Sequence, residues 1–435
     1  MPNDEPAFQT SLMAWLYSAL LYLLLPLMLI RLQWRGIKSP AYRQRWQERL
    51  AWYRPRTATT TAIWFHAVSV GEAEALFPLV RQLQARYPKL SLLVTCTTPT
   101  GSARIQSVLG ISVMHVYLPY DTPDAVQRFI KHFNPQLAVI VETEIWPNLF
   151  NACVRHSVPV YIINARLSEK SARGYQKLSA LIKPALRPIS GIAAQSDEDA
   201  QRYVSIGVPV ERVQNTGNIK FDMDIASELV AQGQQLKSLL FTGRFVWLCA
   251  STHADEELVL LKIYQTLKAT IPELLIVLVP RHPERFAAVN KIAGQLGLNT
   301  VLRTSNIPCT AATDVYLADT MGELKILYGA CDVAFVGGSL VPKGGHNILE
   351  PAAIGVPVLF GPFMNNFKDI AKGILQAEAA IQCQNPDQLT AAITELYTAP
   401  EQRKLMVEHG KQFLQRNRGA LERICQMLDQ GMPLP

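Results

Sequence analysis

The chain opens on an unbroken apolar run and then alternates. Residues 11–30 carry no charge, and 20 such residues are what a helix needs to cross a hydrocarbon layer of about 30 Å. Downstream, short apolar runs rich in β-branched residues each precede a segment of helical spacing: 63–68, 92–96, 137–141, 158–163 and 192–194. A polar stretch over 221–237 is followed by a second series at 246–250, 274–279, 315–317, 333–336 and 356–360. Parallel strands buried on both faces and joined by crossover helices produce this alternation. The pattern therefore predicts two doubly wound, Rossmann-like α/β halves, and no repeat of fixed period points to a solenoid. The expected divisions are 1–35 for the apolar segment and the start of a basic stretch, 36–220 and 221–400 for the two α/β domains, and 401–435 for helices packing back toward the first. Ligands of such sheets bind at the carboxyl ends of strands, so the two domains are expected to face each other across a cleft.

Composition narrows this picture. With 435 residues, 49% hydrophobic and 18% charged, the chain is neither disordered nor low in complexity. Seven scattered cysteines form no disulfide framework and no paired-cysteine zinc motif, which suits a reducing compartment. The net charge of +7 is local: Arg31, Arg35, Lys38, Arg43, Arg45, Arg49, Arg54 and Arg56 stand against Glu48 alone. Nucleic acid therefore falls away as a partner. This basic collar is interleaved with Trp34, Tyr42, Trp46, Trp52 and Tyr53, a pattern that suits anionic membrane lipid. The positive-inside rule places everything after it in the cytoplasm. A signal peptide would have basic residues before its apolar core; here Asp4 and Glu5 precede and Arg31 follows, so the segment is expected to stay attached. The competing reading is a buried core helix. Pro26 fits either a kinked span or a helix dipping into one leaflet.

Candidate chemistry gathers where strands end. In the second half, Gly337-Gly338 and Gly344-Gly345 flank a strand-to-helix junction. Such glycines admit a ligand to the backbone, and free N–H groups at the start of the helix that the stretch 343–351 opens would favour phosphate; a turn built only for tight packing is the other reading. Glu350, one turn further, has a carboxylate suited to two ribose hydroxyls. Arg281 directly follows an apolar run and suits a phosphate bidentately, against the reading of a surface arginine with no role. In the first half, Glu72 lies behind Gly71 at a strand end. It is either a partner of the helix dipole or a general base. Glu142 and Glu144 end another strand, where a solvated loop is the alternative. Acids at the strand ends of one half and cations with glycines in the other suit transfer from an anionic nucleotide donor to a hydroxyl. Two other readings stay open: a transferase or epimerase using a UDP-sugar, and a non-catalytic, membrane-tethered nucleotide-binding protein.

The ordered motifs SVGEAEA (69–75), TTPTG (97–101), ETEIWPN (142–148), NARLS (164–168), GNIKFD (217–222), STH (251–253), PRHPERF (280–286), DTMGEL (319–324), VGGSL (336–340) and GGHN (344–347) resemble the Kdo transferases. These enzymes move 3-deoxy-D-manno-oct-2-ulosonic acid (Kdo). The resemblance covers nearly the whole chain and implies an α/β glycosyltransferase of the GT-B fold with an N-terminal membrane anchor. It implies a single-pass protein of the Gram-negative inner membrane with its catalytic domains on the cytoplasmic side. The implied reaction is inverting transfer of Kdo from CMP-Kdo to a lipid A precursor (lipid IVA) in lipopolysaccharide core biosynthesis. Carried over by position, Glu72 is the catalytic carboxylate. Lys220, Arg281 and the helix start from Gly345 to Asn347 hold the CMP phosphate; Met321, Gly322 and Glu323 hold the base, and Glu350 the ribose. Glu142 and Glu144 position substrate, while Ser69 and Gly71 shape the loop around Glu72. Ile348 stands where the family often has proline, and Ala318 where it often has glycine. Asp222-Met223-Asp224 is formally a DxD metal signature. No metal and no cofactor are expected, since Arg281, Lys220 and a helix dipole supply the charge stabilisation. CMP-Kdo is a co-substrate; the other expected partners are the lipid A precursor and anionic inner-membrane lipid.

Overall fold

The computed structural model describes residues 12–54, 61–223 and 225–431; Asp4, Glu5, Ser11, Arg56 and Asp224 lie outside the described residues. The chain folds into two compact units, one running through Asp222 and resuming at Arg418, the other Met223–Asn417.

The first unit contributes β1 (Thr61–His66), β2 (Leu92–Cys96), β3 (Met114–Tyr117), β4 (Pro135–Val141), β5 (Val160–Ala165), β6 (Ile189–Ala194) and β7 (Val213–Asn215). They form one sheet, ordered β3-β2-β1-β4-β5-β6-β7, with every pair parallel. Side chains of a strand alternate between faces, and β1 shows it. Ile63 and Phe65 pack with Leu137 and Val139 of β4 in one buried cluster. Trp64 packs with Ala138 and Ile140 in the other. Both faces must be covered by helices, which explains the near-continuous apolar runs. The second unit repeats the plan with β8 (Phe245–Thr252), β9 (Leu274–Pro280), β10 (Thr300–Leu302), β11 (Val315–Leu317), β12 (Val333–Val336), β13 (Val358–Phe360) and β14 (Ala380–Gln382). Their order is β10-β11-β9-β8-β12-β13-β14, again all parallel.

In the first sheet the chain winds outward from β1 to β3, and in the second from β8 to the edge strand β10 with β11 returning between β10 and β9; each then crosses to the other side, between β1 and β4 and between β8 and β12. These are the topological switch points, where adjacent loops diverge and leave a crevice at the carboxyl ends.

The division after residue 400 differs from the expected one. The Pro400–Asn417 helix stays with the second unit, where Met406 joins the core. Only the Ala420–Asp429 helix packs on the first unit. There Ile424, Cys425 and Leu428 enter the core beside the Val70–Arg86 helix, and Arg86 pairs with Asp429 at 2.6 Å. Asp222 fixes this junction by accepting the backbone N–H groups of Gly419 and Leu421. The first acid of the apparent DxD motif thus caps a helix.

The N-terminal helix runs Leu12–Lys38, with Pro26 inside it. Its Leu12–Ile37 stretch, of mean hydropathy 2.0, is long and apolar enough to cross a membrane by length and composition. Part of the expected basic collar turns inward instead. Arg49 is buried, donates to Thr97 O at 2.8 Å and lies 4.4 Å from the Tyr117 ring. Arg45 pairs with Glu48 at 2.8 Å. Both side chains anchor the 3-10 turns before β1, because their planar cations stack on Tyr117. All seven cysteines are free.

Candidate active site

In the first unit the predicted residues assemble around the β1/β4 switch point. Ser69 is the N-cap of the Val70–Arg86 helix, and Glu72 occupies its first turn. One Glu72 carboxylate oxygen accepts the Val68 N–H at 2.7 Å, and the other accepts the Ser69 hydroxyl at 2.9 Å. The cap and base readings of Glu72 are therefore not exclusive, since the same bonds that close the helix end fix its carboxylate. Gly71 is exposed, so no side chain stands between this turn and solvent. Glu142 directly follows β4 with φ at 62°, a conformation costly for a residue with a Cβ and concentrated at functional sites. Its carboxylate lies 3.6 Å from Lys220 Nζ. Glu144 accepts the Trp146 indole N–H at 2.8 Å.

Burial and neighbouring charge shift two of these half-buried carboxylates, Glu72 and Glu144. Burial raises Glu72, the charge of Glu142 raises it further, and the Val68 and Ser69 hydrogen bonds and Lys220 oppose the rise. Glu144 is pushed up to about 7, first by burial and then by Glu72. A carboxylate whose affinity for protons is raised by its site is a suitable proton acceptor near neutral pH.

Lys220, which the resemblance assigns to the donor phosphate, lies 3.6 Å from Glu142 in the first unit, and its charge reaches Glu72. It is held there by Asn164, at the end of β5, with φ at 48°, whose Oδ1 accepts the Ile219 N–H at 3.0 Å. Asn164 opens the NARLS motif, but its bond to the Lys220 loop, 55 positions away, is invisible in local spacing.

In the second unit, Arg281, His253 and Gly337-Gly338 follow β9, β8 and β12, and so stand at the β8/β12 switch point and its neighbour. The Arg281 side chain is exposed, and no carboxylate pairs with it among the described residues. Three histidines adjoin it. The Nε2 atoms of His253 and His346 are 2.9 Å apart with the rings stacked at 7°, and His282 meets His253 edge-on. Burial and the Arg281 charge lower His346 to about 4. Burial lowers His253 as well, so the stacked pair disfavours a proton beside the Arg281 cation. Sequence reasoning missed them; the available signal was a histidine at each of three strand-end motifs. It also missed Glu256, fully buried, whose Oε2 accepts both the His253 N–H at 3.1 Å and the Gly338 N–H at 2.5 Å. This carboxylate ties the two loops of the switch point together.

The expected helix start at 345–347 is corrected. The helix is Leu349–Ile354, so Gly345 and Asn347 lie in the turn before it. The Gly345 N–H is not free: it donates to Gly338 O at 2.8 Å, while the Asn347 side-chain oxygen accepts the Leu349 N–H at 3.0 Å. A Cβ on Gly345 would fall 2.3 Å from Met364 Sδ, so close packing accounts for that glycine. Glu350 is half-buried in the first turn of the Leu349–Ile354 helix. Met321 is exposed and Gly322 has φ at 90° in the loop after β11. The Glu323 carboxylate pairs with Arg303 at 2.9 Å and accepts the Thr320 hydroxyl.

Comparison with known proteins gives this arrangement its class. Residues 250–413 match the model of glycosyl transferases group 1. The chain also shares the fold of UDP-GlcNAc 2-epimerase from Neisseria meningitidis, with TM-score 0.57 at 13% identity over 85% of this chain and 99% of that one. The fold is that of a GT-B glycosyltransferase. Residues 44–223 match the 3-deoxy-D-manno-octulosonic-acid transferase (kdotransferase) model. The chain is 41% identical to the 3-deoxy-D-manno-octulosonic acid transferase of Haemophilus influenzae over 95% of its length and 97% of that protein's. It is 35% identical to that of Bordetella pertussis over 84% and 86%. The chain belongs to the Kdo transferase family, whose activity is Kdo transfer in lipopolysaccharide biosynthesis.

Proposed function

We propose that this protein transfers Kdo from CMP-Kdo to a lipid A precursor with inversion, Glu72 acting as general base, at the cytoplasmic face of the inner membrane. The observation that carries the reading is the Glu72 carboxylate, fixed by two donors at a switch point and made more basic by burial. In this reading Glu72 takes the proton of an acceptor hydroxyl as its oxygen bonds to the anomeric carbon of Kdo. The bond from that carbon to the phosphate oxygen breaks, and its electron pair leaves with CMP. Glu142 and Glu144 orient the acceptor, and Lys220 balances the acids. Arg281, with His253 and His346 beside it, receives the charge growing on the phosphate. The half-buried Glu350 is assigned to the ribose, and the exposed loop of Met321 and Gly322 to the base. Glu323, already paired with Arg303, shapes that loop. No metal or cofactor is assigned.

The test is incubation of purified protein with CMP-Kdo and a tetra-acylated lipid A precursor, with the product weighed. CMP and not UDP should protect the second unit from proteolysis, and turnover should survive excess chelator. UDP protection without CMP protection would favour a UDP-sugar enzyme.

A further inference from the structure

We propose that the Leu12–Lys38 helix is a one-leaflet anchor, lying along the first unit with its outer face in lipid, and does not cross the bilayer. The inference rests on the membrane placement given above and specifies its geometry.

The N-terminal half of the helix is already docked on protein. Ala14 is buried against Leu181 and Ala185 of the Ser179–Ala185 helix. The Tyr17 hydroxyl donates to the buried Asp121 carboxylate at 2.9 Å, and the Ser18 hydroxyl to Asn148 Oδ1 at 3.1 Å. The Tyr22 hydroxyl donates to Asp124 at 2.6 Å, and Asp124 in turn pairs with Arg128 at 2.7 Å. An aspartate costs about 2.5–3.5 kcal/mol at the centre of a membrane helix, so a surface carrying Asp124 and Arg128 belongs at the polar boundary. Residues 17–22 are held at that level.

Length then decides. If Tyr17, Ser18 and Tyr22 stay on the first unit, the charge-free stretch left to enter lipid is 23–30. At 1.5 Å per residue it reaches about 12 Å, well short of a hydrocarbon core of about 30 Å. The exposed side chains agree. Leu20, Leu23, Leu27 and Ile30 are 52%, 74%, 60% and 64% exposed and succeed one another by three or four positions, continuing a stripe that begins at Leu12 and ends at Ile37. An exposed apolar face with docked polar groups behind it at Tyr17, Ser18 and Tyr22 fits a helix lying in the interface. Trp34 and the exposed Arg31 and Arg35 at its far end supply the aromatic and basic groups that anionic headgroups attract. The occupant of the stripe is therefore the cytoplasmic leaflet.

Two measurements on the full chain test this, and neither depends on turnover, so a failed base or donor assignment leaves them interpretable. In the first, Asn3→Cys is probed with a membrane-impermeant maleimide. Labelling in inverted inner-membrane vesicles but not in intact spheroplasts is expected, because both ends of the helix lie on the cytoplasmic side. Labelling of Asn3→Cys from outside intact spheroplasts overturns the proposal. In the second, Leu23→Asp/Leu27→Asp is bound to vesicles of phosphatidylethanolamine and phosphatidylglycerol. Binding at least tenfold weaker than wild type is expected, with the melting temperature kept because both side chains are exposed. Unchanged binding, with sedimentation falling from dimer to monomer, would show that a second copy covers the stripe and would also overturn it.

Discussion

The Glu72 carboxylate and the Val68 N–H meet at 2.7 Å, while the other carboxylate oxygen takes the Ser69 hydroxyl at 2.9 Å. This relationship separates a chemical role from a structural one. In Glu72→Gln the amide oxygen can keep Val68 and the amide N–H can donate to Ser69, so the turn survives without a basic carboxylate. Transfer should fall by about 10²–10⁴-fold, the usual worth of a general base, with the melting temperature unchanged. Glu72→Ala should lose the same activity and in addition about 1 kcal/mol of stability, from the donor left without an acceptor. Product mass and thermal melts of the two variants check this; near-normal turnover by Glu72→Gln would refute the base assignment.

The neighbours of Glu72 should move the acid limb of kcat/KM in opposite directions. Glu142 raises the proton affinity of Glu72, behind the larger effect of burial, and Lys220 lowers it. Glu142→Gln removes the repulsion and releases Lys220 from its pair, so the acid limb should shift to lower pH. Lys220→Met should shift it to higher pH. The direction of each shift is the observable. Shifts of the same sign would show that Glu72 does not set the limb.

Glu144 makes a stability prediction. Burial, then the charges of Glu72 and Glu142, raise its proton affinity to about 7 from the ordinary 4.5, against the Trp146 hydrogen bond. Between those values the folded protein holds a proton that the unfolded chain has released. Its contribution to stability is therefore complete below about 4.5 and is lost as pH rises through 7. Glu144→Gln keeps an oxygen for the Trp146 indole and carries no charge. It should melt higher than wild type at pH 8, with the gain vanishing at pH 4.5. A difference equal at both pH values would count against this account.

Arg281 should contribute to donor affinity. Its loss should weaken CMP binding by about 10–100-fold, the worth of charge-assisted bonds to phosphate. Arg281→Lys should recover only part of that, because a lysine cannot make the planar, bidentate contact. Calorimetric titration with CMP measures both. Unchanged affinity in Arg281→Ala would return this residue to the role of a solvated surface cation.

What the sequence made legible follows from burial. Every apolar run read as a strand falls within or overlaps an observed one, because strands covered on both faces must be apolar throughout. The four strands that escaped, β3, β7, β10 and β14, are the four edges of the two sheets. At an edge only part of the strand is buried, as in Val213–Asn215, where two of three residues are exposed, and the apolar signal fades. Site residues that announce themselves by type and local spacing, such as Glu72 behind Gly71, were legible. Those defined by tertiary pairing were not. Lys220 belongs with Glu142 although 78 positions separate them, and His346 meets His253 across two strands' loops. Arg49 reads as membrane collar by position, yet is buried on Tyr117.

Asp121 has no motif around it, yet it joins the N-terminal helix to the helix that follows the Glu142 and Glu144 loop. Its Oδ1 accepts the Leu149 N–H at 2.7 Å, and its Oδ2 accepts the Asn148 N–H at 3.1 Å and the Tyr17 hydroxyl at 2.9 Å. Asn148 and Leu149 open the Pro147–Arg155 helix, which directly follows Glu142, Glu144 and Trp146. An asparagine at 121 must turn its NH₂ toward one of the two backbone donors, whichever way its amide is placed. One buried N–H is then left without an acceptor, at a cost of about 1–3 kcal/mol. Tyr17→Phe removes a single hydroxyl and leaves both backbone donors satisfied, so it should cost only about 0.5–1.5 kcal/mol. Urea unfolding of Asp121→Asn and Tyr17→Phe tests this order. Equal costs would mean that the helix-end bonds add nothing beyond the contact with the anchor.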